Sequence, residues 1–212
     1  GIENLTGGAA ADILTGDSGV NLIDGGAGND TLAGGAGADI LAGGAGIDTA
    51  SYAASTAALT ADLASSTVSG GDASGDVLSG IESIIGTALN DQIAGDAAAN
   101  RLDGGAGNDS LSGGADTVGY ETSMAGVTVN LSLTTAQVSA GDASGDVLNT
   151  IENLVGSALA DTLTGTTGVN ILTGGAGDDV LRGLAGADTL IGGDGLDTAS
   201  YASATTAVNV NL

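Results

Sequence analysis

A nine-residue repeat constrains this chain more than any other sequence feature. From Gly7 to Ser51 the sequence divides into five consecutive blocks, which read GGAAADILT, GDSGVNLID, GGAGNDTLA, GGAGADILA and GGAGIDTAS. A second set runs from Gly86 and ends in a shortened block, GGADTVG, and a third set runs from Gly156 to Ser200. The consensus is Gly-Gly-x-Gly-x-Asp-x-apolar-x. A unit this short cannot bury a core alone, so the pattern predicts a stack of repeats.

A longer period is superimposed on the blocks. Each set is preceded by an Ile-Glu-x-apolar motif, at Ile2, Ile81 and Ile151, and is followed by a tyrosine, at Tyr52, Tyr120 and Tyr201. The repeats predict three modules, at residues 1–52, 81–120 and 151–201, joined by connectors at 53–80 and 121–150. Residues 202–212 then begin another connector, and we expect the chain to be a segment of a longer repetitive protein.

The glycine pattern also predicts the local structure of one block. Glycine at the first, second and fourth positions permits positive φ and close backbone approach, which favours a turn. The last three residues are too few for a helix and suit a short strand with one inward side chain. One block should reverse the chain and two should form a coil, so residues 18 apart should stack. The predicted fold is an all-β parallel β-solenoid whose inner ladder contains Leu14, Ile23, Leu32, Leu41, Ile93, Leu102, Leu111, Leu163, Leu172, Leu181 and Leu190.

Composition excludes several classes of function. The 212 residues include 26 acidic and 2 basic side chains, and there is no His or Cys. Without lysine, and with only Arg101 and Arg182, the chain has almost nothing to bind phosphate, which argues against a nucleic-acid partner. Serine nucleophiles have no histidine base, so we expect no enzyme activity. No apolar run reaches 18 residues, so we expect no membrane span.

The sixth position of the blocks predicts a metal site. Neighbouring strands lie about 4.8 Å apart, which is about twice a calcium–oxygen distance of ~2.3–2.6 Å. A Ca²⁺ ion could therefore bridge sixth-position oxygens of adjacent coils, and hard oxygen donors without nitrogen or sulfur favour Ca²⁺ over Zn²⁺ or copper. This geometry predicts about seven or eight ions. The candidate side-chain ligands are Asp12, Asn21, Asp30, Asp39, Asp48, Asp91, Asn100, Asp109, Asp116, Asp161, Asn170, Asp179, Asp188 and Asp197.

Other acidic residues leave two interpretations open. Gly71–Ser79 and Gly141–Asn149 can be read as degenerate blocks, so Asp76 and Asp146, with Asp72 and Asp142 nearby, are either ligands or solvated connector residues. Glu3, Glu82 and Glu152 could also be ligands, although a polar strand edge is favoured. The tyrosines are expected to cap the thin core at the end of each module.

The blocks GGAGNDTLA at 25–33 and GGAGNDSLS at 104–112 resemble the RTX (repeats-in-toxin, haemolysin-type) nonapeptide repeats. The resemblance implies a right-handed parallel β-roll that folds when calcium binds, and export from a Gram-negative bacterium by type I secretion. It also implies that carbonyls at the second and fourth positions are ligands. The first and second blocks of each module depart from the motif, and weaker or incomplete sites are expected there. The implied carbonyl ligands are Gly26, Gly28, Gly35, Gly37, Gly44, Gly46, Gly105, Gly107, Gly175, Gly177, Gly193 and Gly195.

Two functional hypotheses follow. The first is a secreted calcium-stabilised structural segment of an adhesin, surface-layer protein or matrix filament, which could assemble head to tail or continue into neighbouring domains. The second is the C-terminal secretion and folding module of an exported enzyme, such as a protease, lipase or polysaccharide-modifying enzyme. That hypothesis requires a catalytic domain outside these 212 residues.

Overall fold

Short strands separated by turns make up almost all of the secondary structure. The computed structural model describes residues 2–205 and 207. The first module and its connector contain β1 (Asn4–Thr6), β2 (Ile13–Thr15), β3 (Leu22–Ala27), β4 (Thr31–Ala33), β5 (Ile40–Ala45), β6 (Thr49–Ser51), β7 (Thr60–Asp62), β8 (Thr67–Ser69) and β9 (Val77–Ser79). The second module and its connector contain β10 (Ser83–Ile85), β11 (Gln92–Ala94), β12 (Arg101–Asp103), β13 (Ser110–Gly119) and β14 (Thr128–Asn130). The remaining strands are β15 (Val147–Val155), β16 (Thr162–Thr164), β17 (Ile171–Ala176), β18 (Val180–Arg182), β19 (Thr189–Asp194) and β20 (Thr198–Ala199), and 3₁₀ turns lie at Gly71–Ala73 and Gly141–Ala143.

The strand register confirms the two-block coil. Strand β2 pairs in parallel with β4, so that Leu14 lies beside Leu32. Strand β3 pairs in parallel with β5, which places Ile23 beside Leu41. Both pairs are 18 residues apart, as the repeat predicts. The stacked parallel strands, together with the absence of any longer helix among the described residues, confirm the expected all-β β-roll.

The core is a single ladder of aliphatic side chains between the two strand faces. Ile23, Leu32 and Leu41 are completely buried, and Leu102 and Leu172 continue the ladder in the other modules. Each contributes about 1.5–3 kcal/mol relative to an exposed side chain. Leu14 and Leu190, which lie in the first and last coils, are only partly buried. With one apolar side chain per block, the core is thin, and other interactions must help to hold the coils together.

The connectors are built into the roll. Strands β7 and β8 form an antiparallel pair, and β9 returns to pair in parallel with β5, with Leu78 beside Leu41. Strand β7 also pairs with β11 of the second module. The connector between modules two and three ends in β15, which pairs with both halves of the long strand β13. The predicted module boundaries therefore fall within a continuous stack of strands.

The tyrosines differ in their burial. Tyr52 and Tyr120 are buried in the core, as expected for side chains that close a module, whereas Tyr201 is 42% exposed. After Tyr120, residues 127–133 (VTVNLSL) alternate between apolar and polar side chains, but they form only the short strand β14 before the chain turns. Their counterpart at residues 208–212 lies outside the described residues. No helix within the described part of the chain is long and apolar enough to cross a membrane.

Candidate metal centre

The 18-residue register stacks the sixth-position side chains in columns along the edges of the roll. The backbone N–H of Asp12 donates to Asp30 Oδ1, and the N–H of Asp30 donates to Asp48 Oδ1, each at 2.8 Å. On the other edge, Asn21 N–H donates to Asp39 Oδ1 at 2.8 Å. One carboxylate oxygen therefore ties each coil to the preceding one. The same bond joins Asp91 to Asp109, Asn100 to Asp116, Asp161 to Asp179, Asn170 to Asp188 and Asp179 to Asp197.

The turns that carry these side chains have two conformations. In the first kind, which we call open turns, the residues at the second and fourth positions both have positive φ. Glycine occupies these positions in all open turns but one, because an L side chain is strained there by about 1–2 kcal/mol. The exception has Leu184 at φ 72° in the second position. The open turns are those of Asp30, Asp39, Asp48, Asp109, Asp179, Asp188 and Asp197.

The other turns, which we call closed turns, satisfy the sixth-position side chain internally. In each, the second-position backbone N–H donates to that side chain, as Thr87 N–H does to Asp91 Oδ2 at 2.6 Å. No such bond is formed in an open turn among the described residues. The closed turns are those of Asp12, Asn21, Asp91, Asn100, Asp116, Asp161 and Asn170. They coincide with the first and second blocks of each module and with the shortened block.

Open turns leave a carboxylate oxygen buried without a hydrogen-bond donor. Among the described residues, this is true of the Oδ2 atoms of Asp30, Asp39, Asp48, Asp109 and Asp179. All five side chains are at most 1% exposed. Leaving such an oxygen unpaired costs a folded protein about 1–3 kcal/mol, and more when the group is charged. Asp188 and Asp197 lie in the last coils and are less buried.

In the open turn of Asp30, the unpaired oxygen lies close to a backbone carbonyl of the next coil. A Cβ atom added to Gly25 would lie 2.5 Å from Asp30 Oδ2 and 2.5 Å from the Gly43 carbonyl oxygen. The space above Gly25 is therefore lined by two oxygens from different coils. Only glycine fits at this position, since any side chain would occupy that space.

Burial changes the acidity of three of these carboxylates, those of Asp39, Asp109 and Asp179. Burial is the main cause that raises the pKa of Asp109 to about 7, and the carboxylates of Asp146 and Asp91 act in the same direction. Burial also raises the pKa of Asp39 and that of Asp179 above the usual range. A raised pKa means that the negative charge lacks compensation, which a bound cation would supply.

The donor set fits a calcium ion. No three acidic side chains converge on one point in the described ranges 2–205 and 207. Any cation would therefore combine one or two carboxylates with turn carbonyls. Neutral and anionic oxygens in a flexible loop are the ligands that Ca²⁺ takes, whereas Mg²⁺ demands tighter octahedral geometry. When bound, Ca²⁺ would neutralise the carboxylates and cross-link adjacent coils.

Two columns end at a tyrosine hydroxyl. Asp76 Oδ1 accepts the N–H of Asp39, and its Oδ2 accepts the hydroxyl of Tyr52 at 3.1 Å. Asp146 repeats the arrangement with the hydroxyl of Tyr120 at 2.9 Å. Sequence alone left these residues open between ligand and solvated connector. The structure buries both carboxylates and pairs each with a phenol.

Asp72 and Asp142 lie elsewhere in the connectors, in the 3₁₀ turns. Their backbone N–H groups donate to the hydroxyls of Ser55 and Ser123. Both aspartates are half-buried.

Two glutamates of the Ile-Glu motifs, Glu82 and Glu152, belong to the columns, whereas the sequence favoured a polar strand edge for them. Glu82 Oε2 accepts the N–H of Asp48 at 2.9 Å, and Glu152 Oε2 accepts that of Asp116 at 3.3 Å. In the following coil, Asn170 donates its side-chain amide to the Glu152 carbonyl at 2.7 Å. The signal was present in the sequence, because each motif glutamate precedes a sixth-position asparagine by 18 residues: Glu3 and Asn21, Glu82 and Asn100, and Glu152 and Asn170.

Comparison with known families identifies the same repeats. A family model described as the RTX calcium-binding nonapeptide repeat (4 copies) matches residues 1–32, 15–50, 85–117, 155–190 and 164–199. Together these ranges cover more than half of the chain. Among curated proteins, none matches the sequence.

Proposed function

Because the chain belongs to the RTX calcium-binding nonapeptide repeat family, we propose that its open turns bind calcium and that this binding drives folding. The repeats of this family bind calcium. The observation that supports the assignment to particular turns is the set of five buried carboxylate oxygens without a donor. With the less buried turns of Asp188 and Asp197, the proposal gives about seven ions.

Electrostatics couples calcium binding to folding. The chain has a formal net charge of −24, and its columns bring carboxylates to successive coils about 4.8 Å apart. Mutual repulsion and desolvation of these groups oppose the small gain from a thin aliphatic ladder. A site built from several coils does not exist in the unfolded chain, so the free energy of calcium binding contributes directly to folding. The metal-free chain is therefore expected to lack the roll.

The proposed role is a structural segment of an extracellular adhesin, surface-layer protein or matrix filament, exported by type I secretion. RTX repeats are typical of secreted proteins of Gram-negative bacteria, and the family is typically a structural rather than a catalytic module. Ligand sets with few charges suit extracellular calcium sites, whose dissociation constants are about 10⁻⁴–10⁻³ M. The modular repetition supports a structural role, and head-to-tail assembly would extend it.

The alternative role, a folding module of an exported enzyme, shares every calcium-dependent step. It differs in requiring a catalytic domain encoded in the same gene. Sequencing the complete gene distinguishes the two roles, because a protease, lipase or polysaccharide-modifying domain beside the repeats would favour the alternative.

Calcium removal tests the proposed function. Circular dichroism is recorded during a calcium titration of the chelated chain, and equilibrium dialysis counts the ions bound at saturation. We expect the β signal to be lost after chelation, to return with calcium and to saturate at about seven ions per chain. A magnesium titration at the same concentrations serves as the control and should restore little signal. An unchanged β signal in a chain that binds no calcium would contradict the proposal.

A further inference from the structure

The column of Asp12, Asp30 and Asp48 continues across the junction between the first two modules. Asp48 N–H donates to Glu82 Oε2 at 2.9 Å. In return, the N–H groups of Glu82 and Ser83 donate to the Asp48 carbonyl at 3.1 and 2.9 Å. In the preceding coils, the sixth-position aspartate of the next coil accepts this hydrogen bond. Glu82 takes the place of that aspartate here. The column crosses from the repeats of the first module to the start of the second module without interruption.

A backbone carbonyl from the connector completes the resemblance to a repeat turn. A Cβ atom added to Gly43 would lie 1.9 Å from the Gly80 carbonyl oxygen and 2.7 Å from Asp48 Oδ2. At Gly25, one coil earlier, the corresponding oxygens belong to Gly43 and Asp30. Gly80 thus stands in the place of a first-position glycine. Glu82 is only two residues further on, whereas a repeat places its aspartate five residues further, and the longer glutamate side chain compensates for the shorter loop.

The junction contains a negative charge that no described side chain neutralises. Asp48 is completely buried, and its Oδ2 atom has no hydrogen-bond partner. Arg101, whose strand pairs with that of Ser83, directs its guanidinium to Glu121 instead. A cavity of about 140 Å³ opens beside Gly80 and Glu82, which leaves room for water.

We propose that Asp48, the Gly80 carbonyl and Glu82 form a Ca²⁺ site that joins the first module to the second. The proposal rests on calcium binding by the open turns. It assigns to the ion of the Asp48 turn a glutamate ligand from outside the nine-residue blocks. Water in the adjacent cavity can complete the coordination shell, since Ca²⁺ takes 6–8 oxygen ligands. Calcium at this junction would link the folding of the two modules.

The next junction provides a natural contrast. Glu152 Oε2 also accepts a column N–H, that of Asp116, at 3.3 Å. However, Asp116 Oδ2 already accepts the N–H of Gly114 at 3.1 Å. Thr150 replaces Gly80 there, with a similar φ of 52°, and its hydroxyl donates to the Gly113 carbonyl. The glutamate is thus present at both junctions, while the free carboxylate oxygen is present only at the first.

Matched glutamine substitutions test the junction site. Glu82→Gln and Glu152→Gln both keep a side-chain oxygen for the column N–H and remove the charge. Bound calcium is counted by equilibrium dialysis with ⁴⁵Ca²⁺ at saturation, and folding is checked by circular dichroism. We expect Glu82→Gln to bind one ion fewer than the native chain and Glu152→Gln to bind the native number. A native count for Glu82→Gln, or the loss of one ion in both variants, would overturn the proposal.

A second variant keeps the test decisive if Glu82→Gln does not fold. Glu82→Asp retains both carboxylates but shortens the side chain that compensates for the shorter loop. It should also lose one ion, and a native count would contradict the site. Calcium binding by the native chain distinguishes a wrong junction site from a wrong proposed function. If the native chain binds calcium while both variants keep every ion, only the junction site is wrong. If the native chain binds no calcium, the proposed function fails as well.

Discussion

The turns of residues 86–91 and 104–109 are adjacent in one column and have almost the same sequence. They read GTALND and GGAGND, so they differ only at the second and fourth positions. Asp91 and Asp109 are each 1% exposed, yet Asp91 Oδ2 receives the N–H of Thr87 while Asp109 Oδ2 receives none. Two glycines therefore decide whether a buried aspartate is satisfied by its own turn or requires a cation.

The reason lies in the backbone conformation. In the open turn, Gly105 and Gly107 have φ values of 80° and 144°. A Cβ atom added to Gly105 would lie 2.1 Å from the Thr87 carbonyl oxygen, so a side chain cannot enter without moving the neighbouring coil. In the closed turn, the hydroxyl of Thr87 also donates to Asp91 Oδ1 at 3.0 Å. Since closed turns begin each module, we expect those coils to need less calcium than the coils that follow.

The largest expected difference between the two kinds of turn is in the calcium dependence of stability, which can be compared in the variants Asp30→Ala and Asp116→Ala. Both side chains are buried in the same column, and each accepts the N–H of the preceding coil. Only Asp30 is in an open turn. Asp30→Ala should lose an ion worth about 2.7 kcal/mol at a calcium concentration a hundred times the dissociation constant. Asp116→Ala should lower the free energy of unfolding by about 1–3 kcal/mol, because N–H groups lose their acceptor. The calcium dependence of its stability should stay as in the native chain.

Denaturant unfolding at several calcium concentrations separates the two contributions. The free energy of unfolding of Asp30→Ala should rise less steeply with calcium than that of the native chain, and Asp116→Ala should keep the native slope. Equal calcium dependence in the two variants would show that the conformation of the turn does not determine binding.

An exchange of turn sequences should produce the next largest effect. The double substitution Gly105→Thr with Gly107→Leu gives the open turn the first six residues of the closed turn. The reverse pair, Thr87→Gly with Leu89→Gly, converts the closed turn. We expect the first variant to bind one ion fewer and the second to bind one ion more, as counted by isothermal titration calorimetry. Glycine flexibility should cost the second variant about 0.5–1 kcal/mol per substitution before calcium is added. The native number of ions in both variants would mean that residues outside the turn set its conformation.

The sequence predicted the fold because its two periods have simple geometric meanings. The nine-residue period fixed the coil, the inward ladder and the columns, and the register of Ile23 with Leu41 confirmed it. The division into open and closed turns was visible only as missing glycines. From the missing glycines we predicted weaker metal sites. We did not predict that a backbone N–H of the turn would bond to the sixth-position side chain. Leu184 shows the limit of the motif, since it adopts the open conformation that the motif assigns to glycine.

The connectors were harder to interpret, because their residues form hydrogen bonds with residues of the neighbouring coils that lie far away in the sequence. Tyr52 meets Asp76, which is 24 residues away, and Glu82 meets Asp48 across the junction. Neither distance is a multiple of the repeat. Only the spacing of 18 residues from each motif glutamate to the following asparagine could have placed the glutamates in a column.

The smallest signal is expected from the metal-free chain, because little of it is folded; the pH dependence of its stability should be the reverse of that of the calcium-bound chain. Asp109 and Asp146, successive members of one column, have pKa values raised to about 7 and about 6, mainly by burial, from 3.8 in the absence of these effects. Between about pH 4 and pH 7 the folded metal-free chain therefore holds more protons than the unfolded chain, and its stability falls as pH rises through this window. Calcium requires the ionised carboxylate, so with calcium the stability should rise over the same window. Residual β structure in calcium-free buffer, measured by circular dichroism at about pH 5 and about pH 7.5, should be greater at the lower pH. Asp109→Asn should reduce this difference, and a metal-free fold that gains stability toward neutral pH would show that these carboxylates are compensated without a cation.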